Sequence, residues 1–245
     1  MKKTINKWLI VTAAGAVIFA GLTFLFRNSE HDSLISGDKL CGFCEYIEVD
    51  LLRLDVAVVP YDGNEIRVIY KNDLPIDIEF GDNSMTISES DRFVISLFSR
   101  TTEDFGLWLY LPRKSYREIS VYTGQGNISV DKTDCGLIRL ITEDGDITCK
   151  ELSSQAAITT SRGFISLDIE ELTTNISLIS RKGNAKVMLS KSSSFAIDFE
   201  TETGECYCEI TGTRLTDSGV FGINGGEKTI FAEIPEGTLN ISERV

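Results

Sequence analysis

The stretch at residues 119–130, ISVYTGQGNISV, is the first of five copies of one pattern between residues 119 and 208. Each copy is an alternating apolar strand, a short polar turn that ends in glycine, and a second alternating strand. The turn glycines lie 19, 18, 20 and 21 residues apart, with apolar residues at the same four positions around each of them. All twenty of these positions are apolar, so the repeat is not a chance pattern. The glycines are Gly126, Gly145, Gly163, Gly183 and Gly204.

A repeat of this length and alternation predicts a stack of β-coils. A period of two places the apolar side chains of each strand on one face, and a single coil cannot bury that face alone. We therefore predict an all-β fold, a β-solenoid of parallel stacked coils of about 19–20 residues. The turn glycines are expected to adopt positive φ. A hydroxyl residue stands three positions before each glycine and is expected to form a ladder along the turns; these residues are Thr123, Thr142, Thr160, Ser180 and Thr201.

The N-terminus predicts a membrane anchor. Lys2, Lys3 and Lys7 precede a run from residue 8 to residue 26 that carries no charge. Nineteen helical residues, at about 1.5 Å each, nearly span a hydrocarbon core of roughly 30 Å. We predict one transmembrane helix, with the basic end in the cytoplasm and the rest of the chain exported. A cleaved signal peptide is the alternative, but its cleavage site needs small residues, whereas residues 24–26 are Phe-Leu-Phe.

The sequence divides into three predicted parts. Residues 1–27 are the cytoplasmic N-terminus and transmembrane anchor, residues 28–43 are a tether, and residues 44–245 are the extracytoplasmic solenoid domain. We thus expect a single-pass protein of the cell membrane. The four charges up to Arg27 are all basic, so the remainder carries 24 − 4 = 20 basic against 37 acidic residues, a net charge of −17. Such a charge repels nucleic acid, which we do not expect as a partner.

Less regular β patterns flank the five repeats. Residues 46–88 alternate with frequent turn signals, which predicts first coils or a cap over the end of the stack. After Cys208 the spacing breaks at residues 211–228, and residues 230–241 then restate the repeat once more. We predict that one coil carries an insertion there, a loop or a hairpin.

Cys41 and Cys44 form the sharpest local motif, C-x-x-C. Such a pair can be a redox pair, half of a metal site or a local disulfide. Neither a second C-x-x-C nor a nearby histidine follows, so a four-ligand zinc site is not expected. We predict that both cysteines precede the first strand, are accessible, and are candidate reactive thiols or a local disulfide. Three further cysteines occupy inward columns and are predicted to be buried core thiols: Cys149, Cys206 and Cys208.

The sequence contains no residue set typical of catalysis. Its single histidine, His31, falls in the predicted tether, so the repeats cannot build a Ser/His/Asp triad. The neighbouring carboxylates Glu143 and Asp144 imply no convergent site. We therefore predict no enzyme, no catalytic residue, no cofactor and no metal. The alternative is a β-helix enzyme acting on envelope glycans, which would need charged groups clustered in one groove.

The repeated T-x-x-G-x-I-x-V units also resemble a known family. They follow LYLPRKSYREISVYTGQGNISV at residues 109–130 and close with TIFAEIPEGTLNIS at residues 229–242. In form they are similar to the bacterial putative-adhesin β-strand-repeat family of unknown function, which includes LiaG-like membrane-anchored proteins found beside envelope stress systems. The resemblance covers residues 44–243. It implies a membrane-tethered extracytoplasmic β-solenoid and carries over no site residues, and Cys41 and Cys44 are not part of its pattern.

These observations predict a membrane-anchored, extracytoplasmic, non-catalytic domain for binding or scaffolding at the bacterial cell envelope. The resemblance adds an adhesin-like role and a link to envelope stress. Beyond the membrane itself, the expected partner is an envelope protein or a wall component. It would bind one face of the stack or the insertion at residues 211–228. The oligomeric state is left open.

Overall fold

The computed structural model describes residues 35–72, 74–89 and 105–244. All of them fall in one compact unit, Ile35–Val245. All regular secondary structure in the described residues is β-strand, which confirms the all-β class. The predicted transmembrane helix at residues 8–26 lies outside the described residues. Within the described ranges, no helix has the length and apolar character needed to cross a membrane.

Twenty-one strands follow one another along the described chain. Seven precede the regular repeats: β1 (Ile35–Cys41), β2 (Tyr46–Leu51), β3 (Asp55–Tyr61), β4 (Ile66–Asn72), β5 (Ile76–Phe80), β6 (Ser84–Glu89) and β7 (Gly106–Pro112). Eight form the first four repeats: β8 (Tyr116–Gln125), β9 (Ile128–Val130), β10 (Cys135–Asp144), β11 (Ile147–Leu152), β12 (Gln155–Arg162), β13 (Ile165–Ile169), β14 (Ile176–Lys182) and β15 (Ala185–Leu189). Six complete the chain: β16 (Phe195–Glu200), β17 (Glu205–Cys208), β18 (Thr213–Leu215), β19 (Gly219–Ile223), β20 (Thr229–Glu233) and β21 (Thr238–Glu243).

The strands form two sheets whose inward side chains make a single hydrophobic cluster. Sheet A has the order β1-β4-β7-β3-β9-β11-β13-β15-β21-β17-β18. Sheet B has the order β19-β16-β20-β14-β12-β10-β8-β2-β6-β5. Each repeat contributes one strand to each sheet, so the glycine turn carries the chain from sheet B to sheet A.

The four central coils stack in chain order with parallel pairing. Ile138 of β10 pairs with Ile119 of β8 on one side and with Ala156 of β12 on the other. Like positions of successive repeats therefore lie side by side, and the predicted register is confirmed. All twenty predicted inward residues are at most 2% exposed. Removing this apolar surface from water is the dominant favourable term in folding.

The coils at the C-terminal end do not stack in chain order. The last coil, β20–β21, lies between β14–β15 and β16–β17. Parallel backbone pairing joins it to both neighbours. Two side chains add to this pairing: the Oδ1 atoms of Asn175 and Asn184 accept hydrogen bonds from the backbone N–H groups of Thr229 and Thr238, each at 2.9 Å. A stack in chain order would instead place β16–β17 directly beside β14–β15. Since all coils carry the same inward pattern, that pattern does not specify which coil is the neighbour.

The N-terminal end is interleaved in a similar way. The coil β2–β3 pairs with β8–β9, and the later coil β6–β7 lies on its outer side. A coil made later in the chain therefore lies farther from the centre than an earlier one. At both ends, position in the stack departs from position in the sequence.

Antiparallel strands close the two ends of the stack. At one end β1 and β4 extend sheet A and β5 extends sheet B. At the other, β18 pairs with β17 and β19 pairs with β16. The predicted insertion at residues 211–228 is confirmed, and it supplies one end strand to each sheet. Such capping elements shield the terminal coils of a repeat stack.

Strand β1 corrects the predicted tether at residues 28–43. It pairs along its whole length with β4, from Ile35 opposite Asn72 to Cys41 opposite Ile66. The folded domain therefore includes residues 35–43, which were wrongly placed in the tether. The sequence of β1, ISGDKLC, has a weak apolar pattern because the strand lies at a sheet edge, and its Leu40 is 64% exposed.

The turn glycines are required mainly by close approach between coils. A Cβ atom on Gly145 would lie 2.1 Å from the carbonyl oxygen of Gly126, and one on Gly163 would lie 2.0 Å from that of Gly145. Among the five turn glycines only Gly163 has positive φ, at 154°; Gly237 of the last coil also has it, at 140°. The predicted positive φ is therefore wrong for the other four, Gly126, Gly145, Gly183 and Gly204.

The predicted hydroxyl ladder is present at four of its five positions. The Oγ1 atom of Thr142 donates to the carbonyl oxygen of Gly126 at 3.0 Å, and Thr160 repeats this bond to Gly145. Thr123 and Thr201 donate to backbone carbonyls of their own neighbouring coils. These bonds satisfy carbonyl groups at the bend between sheets. The exception is the Oγ atom of Ser180, which is buried with no hydrogen-bond partner among the described residues.

Candidate functional site

The structure buries the two candidate thiols, Cys41 and Cys44. Cys41 is the last residue of β1 and is 5% exposed; Cys44 precedes β2 and is 4% exposed. Both are free thiols. The prediction that they are accessible is wrong, because residues 35–41 form a strand instead of a tether. The ring of Phe43, between them, packs against Tyr116 with ring centroids 5.4 Å apart.

Burial also makes these thiols poor nucleophiles. It raises the pKa of Cys44 to about 11 and raises the pKa of Cys41 as well. The thiolate is the reactive form of cysteine, so little of either side chain is reactive at neutral pH. The structure therefore gives no support to Cys41 and Cys44 as a reactive pair.

We expect native alkylation of Cys44 at pH 8 to be about 100-fold slower than after unfolding. A pKa raised from 9.0 to about 11 lowers the fraction of thiolate at pH 8 about 100-fold. The rate should rise with pH until the pH approaches 11, since the thiol ionises only there. Mass spectrometry after timed treatment with iodoacetamide measures this, and fast labelling of Cys44 in the folded chain would contradict its burial.

The cysteines of the inward columns serve as an internal comparison. Cys149 and Cys206 are at most 1% exposed, and burial raises the pKa of each to about 12. Cys208 is also fully buried. All three were predicted as core thiols, and this is confirmed. In the same labelling experiment they should react no faster than Cys44.

An open polar groove lies where the insertion meets the connections between coils. Its volume is about 740 Å³. The insertion contributes Asn224, Glu227 and Lys228. Its other walls are mainly hydroxyl and carboxylate side chains from three connections: Ser153, Glu170, Glu171, Thr173, Ser190, Ser192, Ser193 and Ser194.

Hydrogen bonds hold the tip of the insertion over this groove. The hydroxyl of Ser194 donates to the carbonyl oxygen of Asn224 at 2.8 Å, and Nδ2 of Asn224 donates to the carbonyl oxygen of Ser193 at 3.1 Å. Asn224 has φ of 53°, a conformation that asparagine tolerates better than most residues. The groove is therefore a fixed feature with hydroxyl donors and acceptors facing an open space.

The charges of the groove are of both signs. Glu170 forms an ion pair with Lys132, with Nζ and Oε2 2.8 Å apart. Lys228 makes no ion pair within the described ranges, so its ammonium group is available to a ligand. No group of three or more His, Cys, Asp or Glu side chains among the described residues is placed to hold a metal ion. The arrangement can hydrogen-bond a polar ligand.

A ladder of Asx side chains runs along the turns and was missed in the sequence. Oδ1 of Asp55 accepts from the backbone N–H of Asn127 at 2.7 Å, and Oδ1 of Asn127 accepts from that of Asp146 at 2.8 Å. Oδ1 of Asp146 accepts in turn from the N–H of Phe164 at 2.7 Å. The signal was visible, because Asn or Asp follows the turn glycine in three of the five repeats.

The repeat region matches one family model. Residues 135–242 match the model of the Toastrack DUF4097 family. This segment of the chain is similar to that family. The matched segment begins at β10 and runs through β20 and most of β21, so it includes the interleaved coil. The Toastrack segment thus agrees with the resemblance drawn from the repeat units.

Among the similar solved structures, the first one described here shares the fold. A putative cell adhesion protein from Clostridium sporogenes ATCC 15579 aligns with a TM-score of 0.53 and 16% identity, covering 86% of this chain and 100% of that one. A putative adhesin from Bacteroides fragilis NCTC 9343 aligns with a TM-score of 0.36 and 11% identity, covering 86% and 97%. A putative lipid binding protein from Parabacteroides distasonis ATCC 8503 gives 0.35 and 11%, covering 86% and 97%. No curated protein sequence matches the chain.

Proposed function

We propose that this protein is a membrane-anchored, extracytoplasmic binding or scaffold protein of the bacterial cell envelope, without catalytic activity. The observation that carries the binding role is the groove of about 740 Å³ between the insertion and the coil connections. It is open, lined by hydroxyl, amide and charged side chains, and held by the Asn224 hydrogen bonds. Binding sites of repeat proteins lie on such extended surfaces.

The uncharged run at residues 8–26 and the basic residues before it support the anchor and its orientation. The adhesion-related names of similar proteins support a role at the cell surface, and the resemblance to LiaG-like proteins supports a link to envelope stress. The partner that we propose is an envelope protein or wall component that fits the groove with Lys228 at its edge.

Topology is tested by protease treatment of intact protoplasts that express the full chain. We expect loss of the domain beyond residue 35 and protection of the end that carries Lys2, Lys3 and Lys7, because basic flanks remain in the cytoplasm. An N-terminal and a C-terminal epitope tag report the two outcomes by immunoblot. Protection of the C-terminal tag, with digestion only after lysis, would contradict the proposed orientation.

The groove is tested by crosslinking in intact membranes followed by capture of the full chain. Lys228→Glu reverses the charge at the groove and is expected to remove the captured partner. Arg181→Glu makes the same charge change at a turn outside the groove, and it should leave capture intact. Equal capture by both variants would exclude the groove as the binding site. Turnover of an envelope glycan by the purified chain would overturn the non-catalytic assignment.

A further inference from the structure

The exposed tryptophan of the outer face of sheet A, Trp108 on β7, lies flat along its strand. A Cβ atom on Gly106 would be 3.0 Å from Cη2 and 3.2 Å from Cζ2 of the indole. The six-membered ring therefore covers the place where a side chain at Gly106 would stand. Trp108 is 36% exposed. The chain thus presents part of a large aromatic surface to solvent at a fixed orientation.

A row of small side chains continues from this ring across the sheet. Strand pairing aligns Trp108 with Ala57, Ala57 with Ser129, and Ser129 with Thr148. Ser166 comes next in the same row. Neighbouring strands are about 4.8 Å apart, so the four small residues extend the row by roughly 14 Å from Ala57 to Ser166. We call this row of short side chains the track; the aromatic ring lies at one end of it.

A trough of about 470 Å³ lies at the Trp108 end of the track. Its polar lining residues include Asp55, Asn127 and Ser129. The Asx ladder holds the first two in place, since Oδ1 of Asp55 accepts from the N–H of Asn127 and Oδ1 of Asn127 accepts from that of Asp146. Oδ2 of Asp55 and Nδ2 of Asn127 make no hydrogen bond within the described part of the chain. They give the trough one fixed acceptor and one fixed donor.

Two acidic residues near this track are paired. Asp168 lies 2.7 Å from the guanidinium of Arg244, and Glu151 lies 2.9 Å from Lys132. These two carboxylates therefore add no unpaired charge beside the track, although the chain carries a formal net charge of −13. The trough itself contains both Asp55 and Lys71. A neutral ligand needs no matching charge there, and the negative net charge of the chain disfavours an anion.

We propose that the Trp108 trough binds a neutral saccharide chain. The apolar face of a sugar ring stacks on the indole, its hydroxyls bond to Asp55, Asn127 and Ser129, and further sugars follow the track of small residues. A few placed polar groups beside an aromatic surface are typical of ligand sites of this kind. Groups already held by the fold cost less to order on binding. This site is separate from the insertion groove, so the inference names a ligand beyond the proposed function.

The test uses the full chain in a zwitterionic detergent without a sugar headgroup. The sequence has two tryptophans, so Trp8→Phe leaves Trp108 as the only indole. Titration with fully N-acetylated chitotetraose, a neutral oligosaccharide, is expected to change the fluorescence of Trp108 in a saturable way. A titration without any saturable change would overturn the proposal. So would equal binding of tetragalacturonate, an anionic oligosaccharide.

Calorimetry with chitotetraose then locates the site. Trp108→Ala is expected to weaken binding about tenfold or more. Tyr207→Ala is the matched control, because Tyr207 is 41% exposed on the same face near the other end of the stack. The affinity of this variant for the oligosaccharide should equal that of the parent chain. Asp55→Asn keeps the Oδ1 acceptor of the ladder and tests the second oxygen, with an expected smaller loss. Unchanged affinity of Trp108→Ala, with an unchanged melting temperature, would place the site elsewhere. These binding measurements use the purified chain, so they test the saccharide site independently of the protoplast experiment on topology.

Discussion

Replacing Ile165 with Asp is expected to unfold the domain, whereas replacing the next residue, Ser166, with Asp leaves it folded. Ile165 is 0% exposed, and it pairs with Ile147 on one side and Ala185 on the other. A carboxylate there has no partner, and we expect a loss of at least about 4 kcal/mol in the free energy of unfolding. That is a large part of the roughly 5–15 kcal/mol that stabilises an ordinary domain.

Ser166 is the matched control because it lies one residue away on the same strand. Its side chain is on the outer face, since successive residues of a strand point to opposite sides. We expect a change within about 0.5 kcal/mol. Urea unfolding followed by circular dichroism of the two full-length variants measures both values. Equal losses for the two variants would contradict the register of the stack.

Replacing Gly145 with Ala is the second substitution with a large expected effect. The added Cβ atom would lie 2.1 Å from the carbonyl oxygen of Gly126. That oxygen accepts the hydroxyl of Thr142 at 3.0 Å, so it cannot move away without breaking the ladder. We expect a loss of about 3 kcal/mol or more, the upper range for adding one methyl group to packed structure. Thermal unfolding measures the loss.

Gly42→Ala is the control for this substitution. A Cβ atom on Gly42 would meet nothing within 4 Å. We expect its melting temperature to remain close to that of the parent chain. If Gly145→Ala were equally harmless, the close approach of turns in successive coils would not be what requires glycine there.

Features that recur in the sequence were the ones that could be predicted from it. The inward columns were visible because Ile119, Ile138 and Ala156 occupy one position of three successive copies. Comparing copies could also have revealed the Asx ladder through Asn127 and Asp146, although it was overlooked. The requirement for glycine was predicted, but its cause was not, because contact between coils depends on distances that a sequence does not contain.

Features that occur once were harder to predict. Cys41 and Cys44 are buried through pairing of β1 with β4, which depends on a strand whose apolar pattern is weak. Trp108 does not belong to any repeat, and only the register places it in line with Ala57 and Ser129. The coil order was not predictable from the inward columns, since each coil presents the same apolar pattern to both neighbours.

The position of β20–β21 between two earlier coils has a consequence for the order of folding. In a stack built in chain order, each new coil adds to a finished surface as soon as it has been made. Here β16–β17 is synthesised before the coil that separates it from β14–β15. Until β20–β21 has been made, β16–β17 either has no native neighbour on that side or packs in a non-native position that it must later leave. A chain interrupted before residue 229 therefore lacks an inner coil of the stack, and the native arrangement can form only after that segment has been made.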